Sequence, residues 1–206
     1  MKKIIAVKLF VLSLFALQAF AQTPAKVFTE KDREFALKYL DETKADYIAQ
    51  LTGISDAQLN FRAAEGRWTI AEIAEHITVV EQALFEWMTV GRFKPEASKC
   101  ENPFRIDDRM LLGAITNRSK RVTAPEQVVP NGRWKTKEAL IASFEKARGV
   151  TTDFIKNNKT DLRGVFGLSP LGTVDGFQQI LFITGHSERH LAQLKEVKAD
   201  KNYPKK

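Results

Sequence analysis

Cysteine is almost absent: Cys100 stands alone, so the chain cannot close an internal disulfide. It lies in the polar stretch Lys99-Cys100-Glu101-Asn102-Pro103 with no histidine nearby in sequence, which reads as an incidental thiol rather than a nucleophile with its base. Histidine is scarce too, with only His76, His186 and His190. No Ser-His-Asp order is visible, and the glycines from Gly164 to Gly172 lack the lysine and the spacing of a phosphate-binding loop. No basic stripe with interleaved aromatics occurs, which argues against a nucleic-acid partner. No segment alternates apolar and polar residues convincingly enough to read as a strand. After residue 21 no run is apolar enough to cross a bilayer.

The one long apolar run is at the start. Lys2, Lys3 and Lys8 precede Leu9–Phe20, and Ala19-Phe20-Ala21 offers small residues at the two positions a signal peptidase reads. An apolar core of 12 residues falls short of the roughly 20 a membrane span needs. Residues 1–21 are therefore expected to be a cleaved signal peptide. Gln22–Lys206 would remain as a single periplasmic or secreted domain, long enough for a real core and with no stable membrane anchor. Three of the lysines behind the formal charge of +7 belong to the leader. The remaining excess of base, much of it at element ends and in the 201–206 tail, reads as a solvated surface.

What is present is helical periodicity. Thr29-x-x-Asp32 opens a helix to about Leu51, and Ser55-x-x-Gln58 a short helical turn. Thr69-x-x-Glu72, with Trp68 before it, opens a second long helix whose apolar stripe passes through Ile73, His76/Ile77, Val80, Leu84 and Trp87/Met88 before Gly91. Residues 92–134 carry Pro95, Pro103, Pro125 and Pro130 and form a long connection, with 109–119 as a helical candidate; it is too long for a simple turn. A third helix is expected over Thr136–Asn157, a loop over Lys159–Gly172, and a fourth helix from Thr173–Asp175 to Lys198. The fold class is all-α, a four-helix bundle with one long crossover.

The last helix holds the main chemical signal. His186 and His190 are four residues apart on its inward stripe with Ile183, Leu194 and Val197, so their rings stack one turn apart on one face. His76 lies on the equivalent seam of the second helix. Two readings stay open on spacing alone: core histidines hydrogen-bonded to carbonyls or carboxylates, or a set converging on one divalent metal ion.

Gly66-Arg67-Trp68-Thr69-Ile70-Ala71-Glu72-Ile73-Ala74-Glu75-His76-Ile77 resembles a signature of the DinB-like superfamily, and Gly185–Leu194 is similar to its closing helix with His-x-x-x-His-x-x-Gln. The segments Thr123–Trp134 and Leu171–Gly176 fit as well, so the resemblance spans about Thr29–Lys198. It implies a four-helix bundle and a three-histidine metal site made by His76, His186 and His190. Three neutral imidazoles leave positions open for water or substrate, with Zn or Ni as the expected ion. The family contains metal-dependent hydrolases as well as thiol-dependent transferases and isomerases. The expectation for this chain is an exported metal-dependent hydrolase acting on a small molecule that the sequence does not identify. Its alternatives are a metal-assisted thiol transferase, less suited to an export compartment, and a non-catalytic metal- or ligand-binding bundle. Relatives are often dimers, so the resemblance allows a homodimer.

No catalytic base stands out. Glu72, Glu188 and Gln193 are candidates for orienting the ligands, each with a plainer role beside it: a capping box for Glu72, a solvated helix face for Glu188, an interhelical hydrogen bond for Gln193. Glu75 flanks His76 and is expected to face away from it. Trp68, Trp87 and Trp134 read as core or rim packing.

Overall fold

The computed structural model describes residues 27–95 and 106–205. The expected signal peptide and Cys100 lie outside these residues, as does part of the crossover. Six helices follow in order: α1 (Glu30–Leu51), α2 (Asp56–Leu59), α3 (Ile70–Trp87), α4 (Asp108–Thr116), α5 (Lys137–Asn157) and α6 (Gly176–Lys198). The starts of the long helices are written in the sequence. Thr29 with Asp32, Thr69 with Glu72, and Asp175 with Gln178 each close a reciprocal capping box, and Thr136 accepts the Ala139 N–H at the head of α5. Helix α3 ends in a π-type turn, Met88–Arg92, in which Gly91 takes a φ of +79° that a side chain would resist.

Four helices, α1, α3, α5 and α6, form the bundle, and α4 lies along α6. The buried side chains fall into two apolar clusters. One gathers Ala36 and Leu40 of α1, Met88 after α3, Ile155 of α5 and Phe177–Ile183 of α6. The other gathers Tyr47 and Leu51, Ile70–Ile77, Leu140 and Phe144, and Leu191–Val197. Chain order through the two clusters gives the topology. Helices α1 and α6 run from the first cluster to the second, and α3 and α5 run the other way. Two consecutive long helices, α3 and α5, are thus parallel, so the chain must return the length of the bundle between them. That requirement is the physical reason for the long crossover.

Between the two clusters lies a polar layer. Arg148 of α5 is 1% exposed and forms a two-pronged ion pair with Glu81 of α3 at 2.7 and 2.8 Å. It also donates to the Leu40 carbonyl and Thr43 Oγ of α1, both at 2.6 Å, and to Ser187 Oγ of α6 at 3.0 Å. Thr151 completes the layer by donating to Glu81 at 3.1 Å. All four bundle helices meet at this guanidinium.

One expectation needs correction. The stretch 159–172 is not wholly loop. Phe166–Ser169 (β1) and Gly172–Asp175 (β2) form an antiparallel hairpin in which Phe166 faces Asp175, and Lys94 pairs with Phe166 beyond it. Strands of four residues are too short to display a period, and Gly167, where a Cβ would stand 2.5 Å from the Phe93 ring, serves a close approach. The hairpin delivers the chain directly to Asp175, the N-cap of α6.

Candidate metal centre

His76 enters from α3, where Ile73 and Ile77 on either side of it are fully buried, and His186 and His190 enter from α6 between Ile183 and Leu194. The helix pitch and the α3–α6 packing bring the three rings together, with centroids 4.4 to 5.1 Å apart. One ligand-capable nitrogen from each ring can be chosen so that all three lie within 4.8 Å of one another, and among the described residues no carboxylate or thiol joins the group.

Two of the rings have their Nδ1 atoms held. His76 Nδ1 is 2.8 Å from the carbonyl oxygen of Val128, in the 3₁₀ turn Glu126–Val128 of the crossover. A carbonyl can only accept, so Nδ1 carries the proton and Nε2 is left with its lone pair. His190 Nδ1 is 2.8 Å from Gln193 Oε1, which accepts from it in the same sense. The Trp68 indole packs 4.7 Å from the His76 ring and 6.4 Å from that of His190, walling one side of the cluster.

Electrostatics keep the rings neutral. Burial lowers the pKa of His76 against the opposing effect of its bond to Val128. Burial, with His190, His76 and Arg189 nearby, holds His186 well below the ordinary range. His190 is brought down to about 3, by burial first and by the charge of His76 second. Neutral imidazole is the ligand form, so near neutral pH the three groups need shed no proton to bind a metal. The donor set fits a first-row divalent ion, whose bonds to imidazole run about 2.0–2.1 Å.

The other candidates have separate engagements. Glu72 accepts from the Thr69 N–H at 2.7 Å and from Arg62 at 2.8 Å, so it is held at the head of α3. Glu188 accepts from the Tyr39 hydroxyl beside Phe35 and Lys38, two residues from each α6 histidine and so on another face. Burial and then the Glu188 carboxylate raise the Tyr39 pKa, so the phenol keeps its proton. Of the three, only Gln193 touches a histidine. Trp87 carries Arg92 at 4.1 Å on its ring, and Trp134 packs on the second apolar cluster.

Three participants were not read from the sequence. Val128 acts through its carbonyl, which no residue type announces. Arg189, between the two α6 histidines, donates to the carbonyls of Ile115, Asn117 and Lys120 and so fastens the end of α4 beside the centre. Glu75, 2% exposed, does turn away from the cluster, and its carboxylate accepts the backbone N–H groups of Asn131, Gly132 and Arg133. The Pro130-Asn131-Gly132 turn was a visible signal for a tight loop, though not for what that loop would bind.

YuaE from Bacillus subtilis (strain 168), an uncharacterized protein, is 24% identical over 163 residues, covering 79% of this chain and 96% of that protein. YfiT from Bacillus subtilis, described as a probable metal-dependent hydrolase with an unusual four-helix bundle topology, superposes with a TM-score of 0.57 over 89% of this chain and 95% of its own. Its identity is 12%, so the likeness is one of fold. The model of the DinB superfamily matches residues 22–194, and on that match, which spans most of the sequence, the chain belongs to the DinB superfamily.

Proposed function

We propose that His76, His186 and His190 bind a single divalent ion, Zn or Ni, and that the protein is a metal-dependent hydrolase of a small-molecule substrate, acting in the periplasm or outside the cell. The observation that carries this reading is the convergence of three neutral imidazoles, two with their Nδ1 protons already held by Val128 and Gln193. Such an ion supplies Lewis acidity, polarising a carbonyl or making bound water acidic near neutral pH. The chain's own part is to present the lone pairs, to keep His76 and His190 from turning, and to wall the site with Trp68. Three protein ligands leave coordination open to solvent and substrate, the arrangement of catalytic rather than closed structural sites. The structure of YfiT, described in hydrolase terms, has the same fold and supports the reading without specifying a reaction.

A second reading has its own observation: among the described residues no carboxylate or thiol joins the three histidines, and the candidate acids Glu72 and Glu188 bond elsewhere. A bundle that binds metal or ligand without turnover fits that feature. One experiment separates the two. The mature chain, purified without a polyhistidine tag, is expected to carry close to one equivalent of Zn or Ni by elemental analysis, and His76→Ala and His190→Ala to carry little. Ester and amide substrates would then be cleaved in proportion to bound metal. A wild type that neither carries nor takes up metal ends the proposal, and full loading with no turnover of any ester, amide or thiol adduct favours the non-catalytic bundle.

A further inference from the structure

Glu75 and His76 are neighbours in sequence, about 100° apart around α3, and both reach the same stretch of crossover. His76 meets it at Val128 and Glu75 at Asn131–Arg133. Three successive backbone N–H groups converge on the Glu75 carboxylate at 2.9, 2.9 and 3.1 Å, with Gly132 at a φ of +77°. Successive amides turned inward in this way form an anion-binding nest, and here the anion is supplied by the protein itself. Only Val129 and Pro130 separate the nest from Val128, and proline holds its own φ near −65°. Fastening residues 131–133 therefore leaves Val128 little freedom.

We propose that Glu75 is a positioning residue for the histidine centre. Its carboxylate holds the crossover on α3 so that the Val128 carbonyl accepts a hydrogen bond from the His76 Nδ1–H, keeping the proton on Nδ1 and leaving Nε2 as the ligand atom. The metal-binding consequence rests on the reading of the centre given above; the tautomer consequence does not. A carbonyl drawn away from Nδ1 would let the proton move to Nε2, and that tautomer offers no lone pair toward the other two rings.

Glu75→Gln tests this, because the side chain keeps its size but turns a donor toward amides that also donate. On metal-free protein, nitrogen-15 NMR of the imidazoles should show the Nδ1-protonated tautomer at His76 in the wild type and a mixture in the variant. Zinc affinity, read by competition with a chromophoric chelator, should fall ten- to hundredfold, as when a partner of a ligating histidine is lost. Gly132→Ala loosens the nest from the other side, since the backbone there is strained for a side chain and the new Cβ would stand 2.7 Å from Lys135 Nζ. It should give the same two changes, and it serves if Glu75→Gln does not fold. Ile155→Val, in the apolar cluster at the opposite end of the bundle from Ile73, Ile77 and Trp134, is the control for general loss of stability and should alter neither readout. A folded Glu75→Gln or Gly132→Ala that melts earlier yet keeps the His76 tautomer and zinc affinity within twofold overturns the proposal and makes Glu75 a loop anchor only. A wild type that binds no zinc removes the metal reading, and the tautomer measurement still decides for or against Glu75.

Discussion

At the scale of single residues the centre is defined by where protons sit. Val128 and Gln193 hold two Nδ1 protons, and burial, with charge repulsion added at His186 and His190, keeps all three imidazoles neutral. The consequence for stability has a definite sign. Above pH 6.5 the histidines are neutral whether folded or unfolded and contribute no pH dependence. Below it the unfolded chain takes up protons that the folded chain refuses, so stability falls as pH falls, until the folded groups themselves protonate. For His190, with its folded pKa brought down to about 3, the loss by pH 5 is about 2 kcal/mol. Denaturant unfolding of the metal-free protein at pH 7 and pH 5 should show at least this decline, and His190→Leu should lessen it, leaving the share of His76 and His186. The depressed carboxylates Asp32, Glu72 and Glu196 lose their contribution only near and below their ordinary range, outside this window. Equal slopes for wild type and His190→Leu would contradict the assignment.

At the scale of helices and hairpins, the bundle is joined by polar pins set into an apolar core. Arg148 bonds to α1, α3 and α6 at once, and Arg163, ahead of the hairpin, pairs with Asp32, Asp108 and Asp175 at the heads of α1, α4 and α6. Arg148→Met strands the Glu81 carboxylate in a layer where it is 1% exposed, a change that costs roughly 3–5 kcal/mol. The double variant Arg148→Met with Glu81→Leu removes both charges, and much of the loss should return. Equilibrium unfolding of the single and double variants reads this directly. If the double variant is no more stable than Arg148→Met, the cost lies in lost packing or in the bonds to α1 and α6 and not in a stranded charge. The same guanidinium ties Glu81 of α3 to Ser187 of α6, the residue after His186.

At the scale of the whole molecule, the histidine centre joins parts far apart in sequence: α3, α6 and the crossover that passes between α3 and α5. A ligand that ties these together must stabilise the fold. One ion bound only by the native state, at a free concentration a hundred times its dissociation constant, adds about 2.7 kcal/mol. For a domain of this size that is a rise in melting temperature of roughly 5–11 °C. Differential scanning calorimetry with zinc and then with excess chelator should show this rise and its reversal, and His186→Ala should abolish both. An unchanged melting temperature at saturating zinc would mean that the ion does not bridge α3 and α6. Among the described residues no helix is long and apolar enough to cross a membrane.

Much of this was legible without coordinates, for reasons that are local. Capping boxes at Thr29 and Thr69 are sequence-adjacent chemistry, and apolar spacing of three and four marks which helix faces turn inward, so the bundle, the crossover and the three inward histidines could be read from the chain, while the Asp175 box appeared only with the structure. Longer-range partners could not. Glu75 and Glu81 look like ordinary helix acids until the fold gives one a nest of backbone amides and the other a buried guanidinium. Glu188 was a ligand-orienting candidate with a solvated helix face as its plainer role, and two residues of helical rotation turn it to Tyr39. The hairpin at 166–175 escaped because its strands are shorter than any period they could show. Residue type and spacing determined by themselves which histidines face inward. Only the tertiary structure decided which carbonyl, amide and carboxylate meet them, because hydrogen-bond partners 50 residues apart are selected by packing and leave no periodic trace in the chain.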